Sequence, residues 1–392
     1  MAGRFACCNR RPSCRRIRQL KKNSMTGDTK LRWGILGTAQ IARKNWKAIC
    51  NSGNSTITAV ASRDIERSRQ FIAECQAGAR LEVEPKALGS YEQLLASKDV
   101  DAVYIPLPTG LRKEWVIRAA EAGKHVLCEK PCAISFAEAQ GMMEACQRHR
   151  VQFMDGVMFM HSRRLDRIRE VLHDGISVGE IKRLSSAFSF RGAEEFFDGN
   201  IRMNSTLEPL GCLGDLGWYC VRFALWMMNW TLPRQVTGRM LSQFGRKDSP
   251  APVPTEFSAE LLFDGGVSVG FYCSFLTDLQ QWVNVSGTKG NIQVSDFVLP
   301  FFGSELALEL RNPMFRVSGC DFSMEEHRQR LAVAEYSNGH ATSQETNLVR
   351  NFAAQVQSGH LNNLWPEMAL KTQRVVNACF DSARAGTPMD LR

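Results

Sequence analysis

Between residues 31 and 154 the chain alternates short, nearly continuous apolar runs with amphipathic stretches. The runs at 32–36, 56–61, 102–105, 125–128 and 151–154 read as strands covered on both faces, the pattern of a parallel sheet. Helix starts are marked by Ser90 with Gln93 and by Ser135 with Glu138, both capping boxes, and Gly123 follows Glu121-Ala122 as a stop. Strand and helix in strict succession predict a doubly wound sheet.

After residue 154 the pattern changes. A helix is expected at 162–173, a strand at 181–190, a polar loop, and a helix at 215–229. Period-two alternation then places Phe257, Ala259, Leu261 and Phe263 on one face of one strand, and Val267, Val269, Phe271, Cys273 and Phe275 on one face of the next. Asp264-Gly265-Gly266 joins the two as a hairpin, and Gly287-Thr288-Lys289-Gly290 links segments 282–285 and 292–294. This half reads as an open antiparallel sheet with helices on one side. Two helices close the chain. Thr342 and Glu345 cap the first, while Pro366 and Gly386 mark the start and end of the second.

The 392 residues are 44% hydrophobic and 23% charged, which excludes a disordered or fibrous chain. No window approaches the roughly 18 apolar residues of a membrane-spanning helix. The net charge of +9 is local. Of 49 basic residues, eight lie in segment 1–22, so 41 face 40 acidic ones elsewhere. That arm lacks the interleaved aromatics that stack on bases, so nucleic acid is a minor alternative, as is an organellar presequence. Residues 1–30 are expected to be unstructured, and Met25 offers an alternative start. Thirteen cysteines without zinc-type spacing read as buried thiols in a reducing, cytoplasmic setting, with no metal centre.

The first strand runs into Gly34-Ile35-Leu36-Gly37-Thr38-Ala39-Gln40-Ile41-Ala42. Gly37, Ala39 and Ala42 fill the slots of a G-x-G-x-x-G/A turn, where backbone N–H groups and a helix N-terminus meet a pyrophosphate. The second strand ends Ser62-Arg63-Asp64, with Arg67 one turn on. A guanidinium here favours the 2′-phosphate of NADP(H), with NAD(H) the second choice; in the alternative, Asp64 caps a helix and Arg63 is merely solvated. Glu129-Lys130-Pro131 follows a strand whose carboxyl end opens on the ligand crevice. Lys130 there suits polarising a substrate oxygen, although such a pair is also a common surface feature.

Gly34-Ile35-Leu36-Gly37, then Gly123-Lys124-His125-Val126 ahead of Glu129-Lys130-Pro131, and Asp215-Leu216-Gly217-Trp218-Tyr219 together are similar to the glucose-fructose oxidoreductase/inositol dehydrogenase/MocA family. The likeness extends from Leu31 to the C-terminus and is nearest the branch with dimeric dihydrodiol dehydrogenase and NADP-linked xylose dehydrogenase. It implies an α/β protein: a Rossmann domain at 31–154 and, at 155–392, an α+β domain with a mostly antiparallel sheet for substrate binding and homo-oligomerisation. It also implies NAD(P)-dependent oxidation or reduction of a sugar, polyol or cyclic diol.

Carried over residue by residue, the resemblance makes Lys130 the catalytic lysine and Tyr219 the proton donor or acceptor. Asp215, four residues from Tyr219, shares its helix face and orients substrate, and the ammonium is expected to ease the phenol's ionisation. The bland alternative for Tyr219 is a core ring. Cofactor contacts are expected from Gly37, Thr38, Ala39, Gln40, Ile41, Ser62, Arg63, Arg67, Leu107, Pro108, Thr109, Arg112, Glu129 and Lys130. Arg112 stands where the family often has histidine, Thr109 where asparagine is common, and Gly211-Cys212-Leu213-Gly214 replaces a glycine triplet. Met160 and His161 are the candidate substrate contacts, weighed against packing. A non-catalytic NAD(P)-binding sensor is the competing function.

Overall fold

The computed structural model describes residues 30–391; the basic arm at 1–22, Met25 and the cysteines Cys7, Cys8 and Cys14 lie outside them. The first half alternates as the pattern predicts: β1 (Leu31–Leu36), α1 (Gln40–Asn51), β2 (Ser55–Ala61), α2 (Ile65–Gly78), β3 (Lys86–Leu88), α3 (Tyr91–Leu95), β4 (Ala102–Ile105), α4 (Thr109–Glu121), β5 (His125–Cys128), α5 (Phe136–Arg148) and β6 (Phe153–Asp155). The strands are all parallel in the order β3-β2-β1-β4-β5-β6. The order of strand addition reverses between β1 and β4, so a crevice opens there beyond the strands' carboxyl ends. Ser90 and Ser135 cap α3 and α5 by accepting from the N–H groups of Gln93 and Glu138.

The second half begins with α6 (Arg163–His173), β7 (Ile181–Ser189) and α7 (Glu194–Gly199), then a π turn at Leu213–Gly217 and α8 (Trp218–Met227). Next come β8 (Gln235–Phe244), β9 (Val253–Leu262), β10 (Ser268–Ser274), β11 (Gln280–Gly287), β12 (Asn291–Val294), β13 (Leu306–Arg311), β14 (Met314–Ser318), β15 (Asp321–Glu325) and β16 (Arg328–Val333). Helices α9 (Gln344–Gln357) and α10 (Leu364–Ala385) and a short β17 (Met389–Asp390) finish the chain. Nine strands form one sheet, β16-β13-β12-β11-β7-β10-β9-β8-β17, antiparallel except for β7 with β10. Phe257, Leu261, Val269, Phe271 and Cys273 are buried on its helix-covered face, as their alternation predicts.

One expectation is corrected. The cap of α9 is Ser343, whose Oγ accepts from Thr346 N–H, while the Thr342 hydroxyl accepts from the Tyr336 N–H and so has another partner. Glu345 is therefore one residue short of the capping-box position and pairs with Lys44 instead. The second half also returns to the first: α9 packs on α1, β1 and β2, with Phe352 5.1 Å from the Trp33 ring. Leu348, Val349, Phe352 and Ala353 complete the hydrophobic layer over the first sheet. Helix α10 spans both halves, against β8, α8, α5 and β6.

Candidate active site

The crevice continues into a cleft of about 970 Å³ between the two sheets. Its floor is the turn from β1 into α1. Gly37 has φ +107°, a conformation that L side chains avoid, and an added Cβ would lie 3.1 Å from Leu107. Ala39 is the N-cap of α1 and offers no side-chain acceptor; the Ala42 N–H donates to the Ala39 carbonyl at 3.0 Å, which leaves the N–H groups of Gln40 and Ile41 at the start of this twelve-residue helix to an anion. Thr38, Ala39, Gln40 and Ile41 line the cleft beside them.

At one end stand Ser62, Arg63 and Arg67. Asp64 caps α2, accepting from Glu66 N–H at 2.9 Å, as the alternative reading supposed. Arg63 nevertheless faces the cleft, and neither it nor Arg67 forms an ion pair among the described residues. Two unpaired guanidinium groups beyond β2, together with free helix N–H groups, fit the phosphates of a 2′-phosphorylated dinucleotide.

At the other end Lys130 follows β5. Its Nζ donates to Asp215 Oδ1 at 2.8 Å and to the Asp215 carbonyl at 2.6 Å, and lies 4.6 Å from the centre of the Tyr219 ring. Arg202 Nε donates to the second Asp215 oxygen at 2.7 Å. Burial alone would raise the Asp215 carboxyl, but Arg202 and then Lys130 outweigh it and hold it well below the usual carboxylate range. Asp215 and Tyr219 thus meet at one lysine, although Asp215 sits in a π turn and the α-helix starts only at Trp218. Glu129 closes the inner wall: Oε1 accepts from the Tyr104 hydroxyl at 2.6 Å and from Asn45 Nδ2 at 3.3 Å.

Tyr219 corrects one expectation. Burial, then the charges of Glu129 and Asp215, push its phenol well above 10, so the nearby ammonium does not prevail. Its hydroxyl is 3.8 Å from Met158 Sδ.

Other predicted contacts do different work. Leu107 and Pro108 line the cleft, but Thr109 does not: its N–H and hydroxyl both donate to Glu208, at 2.9 and 2.6 Å. Arg112 is buried and donates to the carbonyls of Leu107 and Pro131 and to Thr109 Oγ1, tying the loop after β4 to the turn that carries Lys130. It also lines the cleft, between Pro108 and the turn that carries Lys130. Met160 and His161 are also misplaced as substrate contacts. The 3-10 turn Met158–His161 aims only Met158 into the cleft, whereas Met160 and His161 line a shallow recess with Asn351 and Trp365. Sequence reasoning missed Arg202, Asn45 and the pairing of Lys44 with Glu345, which it read only as a helix cap.

Two family models match the chain. One, described as an oxidoreductase family with an NAD-binding Rossmann fold, covers residues 31–157, and the Gfo/Idh/MocA C-terminal domain covers 165–293. The chain is 29% identical to D-xylose 1-dehydrogenase (NADP(+)) 2 of Haloferax volcanii over 92% of its own length and 99% of that protein's. It is 30% identical to trans-1,2-dihydrobenzene-1,2-diol dehydrogenase of Mus musculus, over 69% of this chain and 76% of that one. Among solved structures, a 3-ketoreductase from Actinomadura kijaniata in complex with NADP and TDP-benzene superposes with a TM-score of 0.74 at 24% identity, covering 90% of this chain and 98% of that one. The chain belongs to the Gfo/Idh/MocA oxidoreductase family and is an NAD(P)-dependent oxidoreductase.

Proposed function

We propose, from this membership and from the cleft, that the protein moves hydride between NADP(H) and a secondary alcohol or its carbonyl on a sugar-like or cyclic diol substrate. The observation that carries the reading is the meeting of Lys130, Asp215 and Tyr219 in the same cleft as the Gly37 turn. Two relatives, a xylose dehydrogenase and a dihydrodiol dehydrogenase, support the substrate class.

When bound, the nicotinamide supplies or takes up the hydride. The turn at 37–41 receives the pyrophosphate, Arg63 and Arg67 pair with the 2′-phosphate, and Leu107 and Pro108 wall the crevice. Lys130 donates a hydrogen bond to the reacting oxygen and stabilises negative charge on it. Tyr219, held protonated, gives its proton to that oxygen in the reductive direction. Asp215 fixes the ammonium from one side, and Arg202 keeps the carboxylate charged. A sensor without turnover has no use for this arrangement.

The protein is further proposed to act as a homodimer or higher homo-oligomer through the large sheet, whose uncovered face carries Arg183, Glu260, Tyr272 and Trp282 around a shallow groove. Among the described residues no helix is long and apolar enough to cross a membrane. The ten free cysteines there, with Cys212 and Cys273 sulfurs 4.0 Å apart and unbridged, favour a reducing, cytoplasmic compartment.

The test is calorimetry with NADP, NADPH, NAD and NADH, followed by turnover on aldoses and trans-diols. Tighter binding of the phosphorylated pair and turnover of one member of the panel are expected. Binding of no dinucleotide would sink the reading.

A further inference from the structure

Beyond Arg311 the β13–β16 pair runs on as a two-stranded overhang. Asn312 N–H donates to the His327 carbonyl at 2.9 Å, and the ladder resumes in the same register, from Met314 opposite Glu325 to Ser318 opposite Asp321. At its base Asn312 Nδ2 donates to the carbonyls of Ser177 and Lys289, at 2.7 and 3.0 Å, which fastens the hairpin to the body of the second half. All ten residues of β14 and β15 are exposed.

Alternation fixes which way its faces turn. Leu306, Leu308 and Leu310 are buried on the helix-covered face of the large sheet, so Ala307, Glu309 and Arg311 lie on the uncovered one. Because the register is kept, Phe315 and Val317 continue that uncovered face, and their cross-strand partners Met324 and Phe322 share it. Phe315 is 63% exposed, Val317 55%, Phe322 66% and Met324 79%, and the two phenyl rings stack with centres 6.0 Å apart. The opposite face is mostly polar, with Arg316 and Glu325 paired across it. A hairpin with no core beneath it is at best marginally stable in water, and large apolar side chains sorted onto one exposed face mark a surface that is covered in use.

The face that the hairpin extends indicates what covers it. On the uncovered side of the large sheet Arg183 and Glu260 pair, and Tyr272 and Trp282 flank Ala187. Such a face is self-complementary in charge and carries little apolar area of its own. A second copy related by a two-fold axis sets this face against itself, and each overhang then reaches past its own sheet onto the other copy. Four large apolar side chains from each side supply what the polar sheets lack.

We infer that the hairpin at 314–325 is an arm that lays Phe315, Val317, Phe322 and Met324 on a second copy of this chain and provides the main apolar part of the contact. This rests on the homo-oligomer reading above and goes beyond it by naming the segment that holds the copies together.

The test is sedimentation velocity of the full chain over a dilution series, for wild type, for Phe315→Ser/Phe322→Ser on the arm and for Trp282→Arg on the sheet face, with far-ultraviolet circular dichroism to check folding. Wild type is expected to associate at micromolar concentration, and the serine pair to raise the dissociation constant by about 100-fold or more with an unchanged spectrum. In wild type, peroxide oxidation of Met324, read by mass spectrometry, should be slow where copies are associated and several-fold faster after dilution to monomer; equal rates overturn the inference without any substitution. A serine pair as associated as wild type also overturns it, and the sheet reading then survives if Trp282→Arg dissociates the copies. If the serine pair dissociates and Trp282→Arg does not, the arms alone hold the copies and the sheet reading falls. A monomeric wild type removes both.

Discussion

The Lys130 ammonium lies 4.6 Å from the centre of the Tyr219 ring while two of its donors are held by Asp215. One donor direction is left for substrate, and the ring stabilises the charge through its π face. Replacing Lys130 with methionine keeps the length of the chain and removes the charge. The expected result is a fall in kcat of about 10²–10⁴ with the NADP dissociation constant within a few-fold of wild type. Unchanged turnover would remove Lys130 from the chemistry.

The pH dependence follows from Tyr219. Burial and then Glu129 and Asp215 raise its pKa, so the phenol stays protonated beyond pH 10. Reduction uses the protonated form, so kcat for carbonyl reduction should not decline on a Tyr219 ionisation below about pH 10, whereas oxidation needs the rarer phenolate and should climb with pH over the same range. Pre-steady-state rates in both directions would show it, and a reductive limb titrating near pH 7 that disappears in Tyr219→Phe would contradict it.

Arg63 should discriminate between cofactors. It faces the cleft without a carboxylate partner. Arg63→Ala is expected to weaken NADP(H) by about 10- to 100-fold, the loss of a charge-assisted phosphate contact, and to leave NAD(H) nearly unchanged. Equal effects on both cofactors would mean that Arg63 touches some other part of the ligand.

Arg222 and Asp155 form a fully buried ion pair that ties α8, the helix of Tyr219, to the end of β6; Arg222 Nη1 is 3.1 Å from Asp155 Oδ1, and its Nε donates to Thr372 on α10. Arg222→Met leaves the carboxylate buried and unpaired, which should cost about 3–5 kcal/mol in urea unfolding. The double variant Arg222→Met/Asp155→Leu should recover much of that, because no charge is then stranded.

His161 should give the protein an acid sensitivity that has nothing to do with catalysis. Burial, then the positive charge of Arg222, pushes its imidazole down to about 4. The unfolded chain binds a proton below about pH 6.5 and the folded chain does not, so the contribution is full above pH 6.5 and is lost as pH falls toward 4. Urea midpoints between pH 7 and 5 should drop less in His161→Gln than in wild type. Parallel drops would place the sensitivity elsewhere.

The strands beginning near residues 32, 56, 102 and 125 were legible because a strand covered on both faces must be apolar throughout, and β7, β9 and β10 because one covered face demands period two. The segment from 306 to 333 was less so. β13 alternates cleanly with Leu306, Leu308 and Leu310 inward, but β16 is an edge strand of mostly polar residues, and the β14–β15 hairpin turns Phe315, Val317, Phe322 and Met324 outward over no core. An alternating pattern says that one face is apolar, without saying that anything covers it.

The sequence by itself determined the parallel first sheet, the turn at Gly37 and the placing of Lys130 at a strand's carboxyl end, since periodicity, turn chemistry and chain direction are local properties. Only the tertiary structure decided which distant side chains converge there. Arg202 reaches Asp215 from a 3-10 turn at Ile201–Met203, Glu345 reaches Lys44 across 301 residues, and the 3-10 turn at Met158–His161 sends Met158 into the cleft and His161 out of it. Those outcomes depend on how two sheets and a returning helix pack, and packing is set by the whole core rather than by any one segment's spacing.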